Sequence, residues 1–174
     1  MTADDPFSVE AAKRAADAGR LAEWVTTFLA SPGSDNEALA AELAFAGASF
    51  VGPVRLALDD LEPLAGPDDH DVSIPVPEQE WSNEVDAMDK SLARGWKPPP
   101  LLVSYRDGAY VLEDGNHRHD ALRRAGATHT WAIIAFWDES ERFAFSMLGV
   151  SSSGGLSSGS ARPVSRDGAC GADS

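Results

Sequence analysis

The sequence holds one cysteine, Cys170, among its 174 residues. No internal disulfide can form, which suits a reducing, cytoplasmic setting. No apolar run approaches the roughly 18–20 residues that span a bilayer, so a transmembrane helix is not expected. Nor does Met1–Asp5 carry the basic start and apolar stretch of a secretory signal. Positive charge is also scarce, with 14 Lys and Arg against 28 Asp and Glu and a formal net charge of −14. Gripping duplex DNA takes a basic face that neutralises phosphates, so this balance argues against duplex DNA as a partner. A local anion site remains compatible with it. At this length the chain builds one ordinary core rather than two full domains.

Composition divides the chain into three parts. From residue 150 onward it is dominated by Ser, Gly and Ala, which cannot bury enough surface to offset ordering entropy, so residues 150–174 read as a disordered tail containing Cys170. Residues 1–50 read as an N-terminal helical hairpin. Val9, Ala12, Ala16, Leu21, Trp24, Val25 and Phe28 keep the spacing of one helix face, with Gly19 weakening its middle. Ser31-Pro32-Gly33 breaks the chain, and Ser34 with Glu37 forms a capping box for a second helix through Leu39, Leu43 and Phe45. This hairpin covers a core or offers a surface to a protein partner.

Residues 51–149 form the central domain. Val54, Leu56 and Leu58 alternate as a strand, residues 65–80 make a proline-rich loop, and Trp81 to Arg94 is helical with Gly95 as its cap. Leu101–Tyr105 and Ala109–Glu113 are strands around Arg106-Asp107-Gly108, whose Asp-Gly pair tolerates the positive φ angles of a tight hairpin. A helix from His117 to Ala125, a buried strand Trp131–Trp137 and a helix Glu139–Leu148 complete it. The fold class is therefore α+β, a small mixed β-sheet with helices.

The run Asp114-Gly115-Asn116-His117-Arg118 carries the chemistry. A strand ends, glycine permits a sharp turn and a helix begins, which puts unpaired backbone amides and the positive end of a helix dipole at one point. Arg118 adds a planar fork matched to phosphate, and His117 adds a ring N–H. His117 and His119 form an H-x-H pair, but residues two apart on a helix point away from each other, so no metal ligands are assigned. Trp96, after a helix-ending glycine and beside three prolines, either packs or lines a cleft as a stacking surface.

The order GPVRLALDDLEPL, acidic helix, GWKPPPLLV, hairpin, EDGNHRHDALRRAG and buried strand resembles the ParB/sulfiredoxin-like superfamily over about residues 51 to 138. The DGNHR turn and the proline-led strand before it are the specific elements. That resemblance implies a mixed sheet of the ParB/sulfiredoxin type. It also implies nucleotide phosphates held at the Gly-x-x-Arg turn, a role carried onto Gly115, His117 and Arg118, with Asp114 and Asn116 completing the turn. It implies a nucleoside triphosphate, ATP or CTP, with Mg²⁺. Two departures narrow it. Asn116 stands where sulfiredoxin has its reactive cysteine, which excludes sulfinate reduction by that route, and no helix-turn-helix module follows, as it does in partition proteins. The kinase members use an acidic residue upstream of the turn, for which Glu84 is chosen as catalytic base. Lys90 on the same helix is the basic residue placed near a terminal phosphate, with an ordinary exposed lysine as the alternative. The implied function is a nucleotide-binding protein, a nucleotide hydrolase or small-molecule kinase. The alternative is a non-catalytic regulatory or adaptor protein on the same fold.

Overall fold

The computed structural model describes residues 5–148, so the tail from residue 150 and Cys170 lie outside the described residues. Six α-helices and a mixed five-stranded sheet make up the described chain, which is α+β. The N-terminal region is three helices rather than two: α1 (Val9–Asp17), α2 (Leu21–Leu29) and α3 (Glu37–Ala46). Gly19 is the reason. It sits at φ 69°, so the single helix expected across it is cut into α1 and α2. The expected capping box is also reassigned, since Asn36 caps α3 by accepting from the Leu39 amide, leaving Ser34 for another contact.

Strand β1 (Ser49–Ala57) starts earlier than the alternation suggested, because a bulge between Val51 and Val54 accommodates Gly52-Pro53 inside the strand. After a 3-10 turn at Leu58–Asp60 come β2 (Leu61–Pro63), β3 (Ala65–Pro67) and β4 (Ile74–Val76). The last two form a small parallel pair within the segment read as a loop. The long helix α4 (Glu78–Ala93) leads to the hairpin β5 (Leu101–Arg106) and β6 (Ala109–Asp114). Its turn holds Asp107 at φ 50° and Gly108 at φ 87°, the positive angles that the Asp-Gly pair was expected to supply. Then follow α5 (Asn116–Arg124), β7 (His129–Phe136) and α6 (Glu139–Met147).

The sheet order is β1-β7-β5-β6-β2, with β7 parallel to β5 and antiparallel to β1. Alternation along the central strands divides the core between two faces. Leu102, Ile133 and Ala135 pack against Ala12, Val25, Phe28, Leu29 and Leu43 of the N-terminal helices. Leu101, Val103, Ile134 and Phe136 face the other way, toward Leu56, Leu112 and Phe145. A third cluster, Trp81, Val85 and Ala121, joins α4 to α5. No helix of the described residues is long and apolar enough to cross a membrane.

Candidate functional site

The site is built where β6 runs into α5. Asp114 ends the strand, Gly115 turns in the left-handed region at φ 97° and ψ 27°, and α5 begins at Asn116. Gly115 is the N-cap residue and supplies no side chain to accept from the first turn. The amides of Asn116, His117 and Arg118 donate to no other described residue. They open a helix whose dipole places partial positive charge at the same point.

His117 is the second residue of α5. Its ring lies 4.0 Å, centroid to centroid, from that of Trp81 on α4, and its Nε2 is buried without a hydrogen-bond partner. Burial pushes the His117 pKa below the ordinary histidine value, while the charges of Glu84, Asp120 and Glu80 pull it back up. Trp81 is itself fixed, its indole N–H donating to Asp120 Oδ2 at 2.9 Å. Asp120 also accepts from Arg124 at 3.1 Å, so α4 and α5 are stapled beside the turn.

Arg118 requires a correction. The sequence reading aimed its fork at phosphate, but only 5% of its side chain is exposed and the guanidinium points inward. It donates to Asp114 Oδ2 at 2.5 Å and to the carbonyls of Pro99 and Pro100 at 3.0 and 3.1 Å, with the Phe28 ring 5.3 Å away. Burial lowers its pKa and Asp114 opposes that shift. The side chain that looked like the ligand is instead the strut behind the turn. Asp114 is equally engaged, because its Oδ1 accepts from Ser34 Oγ at 2.8 Å across 80 residues of sequence. Asn116 also turns to the protein, accepting from the Ala65 amide at 3.2 Å and donating to the Leu112 carbonyl at 3.4 Å.

The two candidates on α4 separate. Glu84 is exposed one turn beyond Glu80, and its charge reaches His117. Lys90 is exposed nine residues beyond the buried Trp81, about 180° around the helix, so it faces away from the turn. The charge of Glu84 is thus felt at His117, whereas Lys90 lies on the side of α4 opposite Trp81. His119 points away from His117, its Nε2 donating to the Leu58 carbonyl at 3.0 Å, as expected for positions two apart on a helix. Sequence reasoning missed Ser34, Phe28 and Trp81. For Ser34 no local signal exists, since its contact is made 80 positions away.

Two imidazoles, His119 buried and His117 half-buried, shape the acid response. Burial depresses the His117 and His119 pKa values, so the unfolded chain binds protons at higher pH than the folded one. The stability this represents is complete above about pH 6.5 and is lost as pH falls through the folded values. Thermal unfolding between pH 7.5 and 5.5 is expected to show a falling midpoint, with a shallower fall in His117→Phe. That variant keeps the ring on Trp81 and strands no hydrogen-bond partner. An unchanged slope in it would remove His117 from the account.

No family model matches the chain, and no curated protein matches it. Among solved structures, it is similar to a free serine kinase in complex with AMP, at 24% identity over 47% of this chain and 30% of that one, with TM-score 0.35. It is also similar to sulfiredoxin from Arabidopsis thaliana, at 19% identity over 56% of this chain and 97% of that one, with TM-score 0.35. A third is the pNOB8-like ParB N-domain, at 21% identity over 54% of this chain and 30% of that one, with TM-score 0.37. The chain thus spans under a third of the length of the kinase and of the ParB domain chain. Both fold types to which the DGNHR turn pointed, sulfiredoxin and the ParB N-domain, are among these structures.

Proposed function

We propose that the protein binds a nucleoside triphosphate, ATP or CTP, together with Mg²⁺, and that the phosphates sit on the first turn of α5. The observation that carries this reading is the uncapped helix start, whose three amides have no acceptor among the described residues, in the same turn as an imidazole whose Nε2 has no partner among them. Burying a polar atom without a partner costs about 1–3 kcal/mol, and an anion at this point would relieve that cost. His117 and the backbone of Asn116, His117 and Arg118 are the donors in this reading. Asp114 and Arg118 hold the turn's shape from behind. The resemblance of DGNHR to the phosphate turn of ParB/sulfiredoxin-like proteins points the same way.

The reaction that follows from this arrangement is phosphoryl transfer to a small acceptor or to water. Glu84 is the proposed general base. It is an exposed carboxylate near His117, free of any hydrogen bond to the described residues, and so available to take a proton from an acceptor hydroxyl. Mg²⁺ would supply the charge neutralisation that terminal phosphates need beside Glu80, Glu84 and Asp120.

Isothermal titration with ATP, CTP and GTP, each with and without Mg²⁺, tests the binding. At least one nucleotide is expected to bind in Mg²⁺ with a micromolar to low-millimolar Kd. His117→Ala should weaken it about 5- to 20-fold, the value of one donor to a charged acceptor. Glu84→Gln should leave binding within a few-fold while reducing turnover of the bound nucleotide. Absence of binding by all three nucleotides at millimolar concentration would overturn the reading.

A further inference from the structure

The sequence groups Phe45 with Leu39 and Leu43 as apolar positions of one helix, yet the structure separates them. Leu39 and Leu43 are buried in α3, whereas Phe45 is 96% exposed. Two positions on from Leu43 is about 200° around a helix, so Phe45 projects from the side opposite the core.

A recess lies next to this projection. Ser49 pairs with Phe136 in the sheet, so the chain passing from α3 into β1 runs beside the chain passing from β7 into α6. Between them is a cavity of about 780 Å³, walled by Ala46 and Gly47 on one side and by Glu139, Arg142, Phe143 and Ser146 on the other. Those four positions fall at i, i+3, i+4 and i+7, one stripe of α6. Phe143 is 66% exposed on that stripe, and Met147, one turn further, is 71% exposed. Among the nine residues of α6 only Phe145 is buried. A helix this short is marginal in water unless its apolar sides are packed, so the outer side of α6 lacks a cover.

We propose that this face joins two copies of the chain about a two-fold axis, with Phe45 of each copy seated in the cavity between α3 and α6 of the other. A two-fold contact uses one self-complementary patch, and a projecting ring beside a recess is such a patch. At about 150–250 Å² per ring, Phe45 and Phe143 together leave roughly 250–400 Å² of aromatic surface exposed. Met147 and the cavity walls extend this toward the roughly 800 Å² per partner that a stable interface covers. Phenylalanine, methionine and arginine are also residues enriched at such contacts. Each copy carries a formal charge of −14, so their overall fields repel and the attraction is apolar. Salt should therefore tighten the pair, because it screens the repulsion and leaves apolar burial intact.

Sedimentation velocity of the full chain without nucleotide, over about 1–200 µM and at low and high salt, tests this. The parent is expected to show a monomer–dimer equilibrium with a micromolar Kd that falls as salt rises. Phe45→Ser and Phe143→Ser should each weaken it at least about 30-fold, as for a residue at the centre of an interface. Melting midpoints measured well below the parent's Kd should be unchanged in both variants, since both rings are exposed in the single copy. A parent that stays monomeric at the highest concentration overturns the proposal. If that monomer also melts lower in Phe143→Ser, residues 149–174 of the same chain are the cover. A dimer that persists unchanged in Phe45→Ser overturns it too, by placing the contact elsewhere.

Discussion

Replacing Arg118 with alanine is expected to lower the free energy of unfolding by about 3–5 kcal/mol, the usual result of removing one partner of a buried ion pair. The variant would leave Asp114, 9% exposed, without its counter-ion, and the carbonyls of Pro99 and Pro100 without a donor. For a chain of this size that loss corresponds to a fall of roughly 6–20 °C in Tm. Differential scanning calorimetry measures it directly. Arg118→Lys should recover only part, because an ammonium on a flexible stem cannot reach three acceptors that a planar fork spans. Any loss of nucleotide affinity in Arg118→Ala would then follow from a collapsed turn. A variant that melts within 2 °C of the parent would return Arg118 to solvent and to the role of direct ligand.

The second large effect is expected at Gly115. A β-carbon there would lie 2.6 Å from Leu101 Cδ2 and 2.9 Å from Arg118 Nη2, and the backbone is at φ 97°. Left-handed strain of about 1–2 kcal/mol and overpacking of about 1–3 kcal/mol act together, so Gly115→Ala should lose about 2–5 kcal/mol. Unlike most glycine-turn substitutions it should also abolish phosphate binding, since relieving the clash must swing the α5 amides away from their common focus. Gly126, at φ 80° with open space around its would-be β-carbon, serves as the control. Gly126→Ala should carry the strain alone and leave binding intact. Equal effects at the two glycines would show that close packing behind the turn does not matter.

Much of the scaffold was legible because its signals are local. The Asp-Gly hairpin, the strand–glycine–helix run at the site and the alternating central strands each follow from neighbouring residues, and the structure has them in place. What failed depended on distant partners or on competition between close ones. Gly19 reads as a weak point in one helix, yet at φ 69° it ends α1 outright and the chain restarts as α2. Ser34 has the spacing of a capping residue, but Asn36 lies nearer the helix start and takes that role, leaving the hydroxyl for a carboxylate 80 positions on. Arg118 was misjudged in the same way. Four residues after Asp114, it sits where an ion pair across the helix start is geometrically open. The two proline carbonyls that complete its coordination belong to a segment the turn itself gives no hint of. Trp81 carried no sign of its contact with His117, because that contact exists only once α4 and α5 are docked.

The bond between Ser34 and Asp114 also orders events in time. The N-terminal helices are made before the strand residues that cover them, Leu102, Ile133 and Ala135, which follow roughly 60 to 110 residues later. Until β7 is synthesised, Val25, Phe28, Leu29 and Leu43 lack the Ile133 and Ala135 surface that completes their core. Such widely separated contacts make assembly slow and late, and they expose apolar surface while it waits. A nascent chain of this protein is therefore expected to need a chaperone's shelter over most of its length, and a cut near residue 50 would yield two fragments that each lack half of one core.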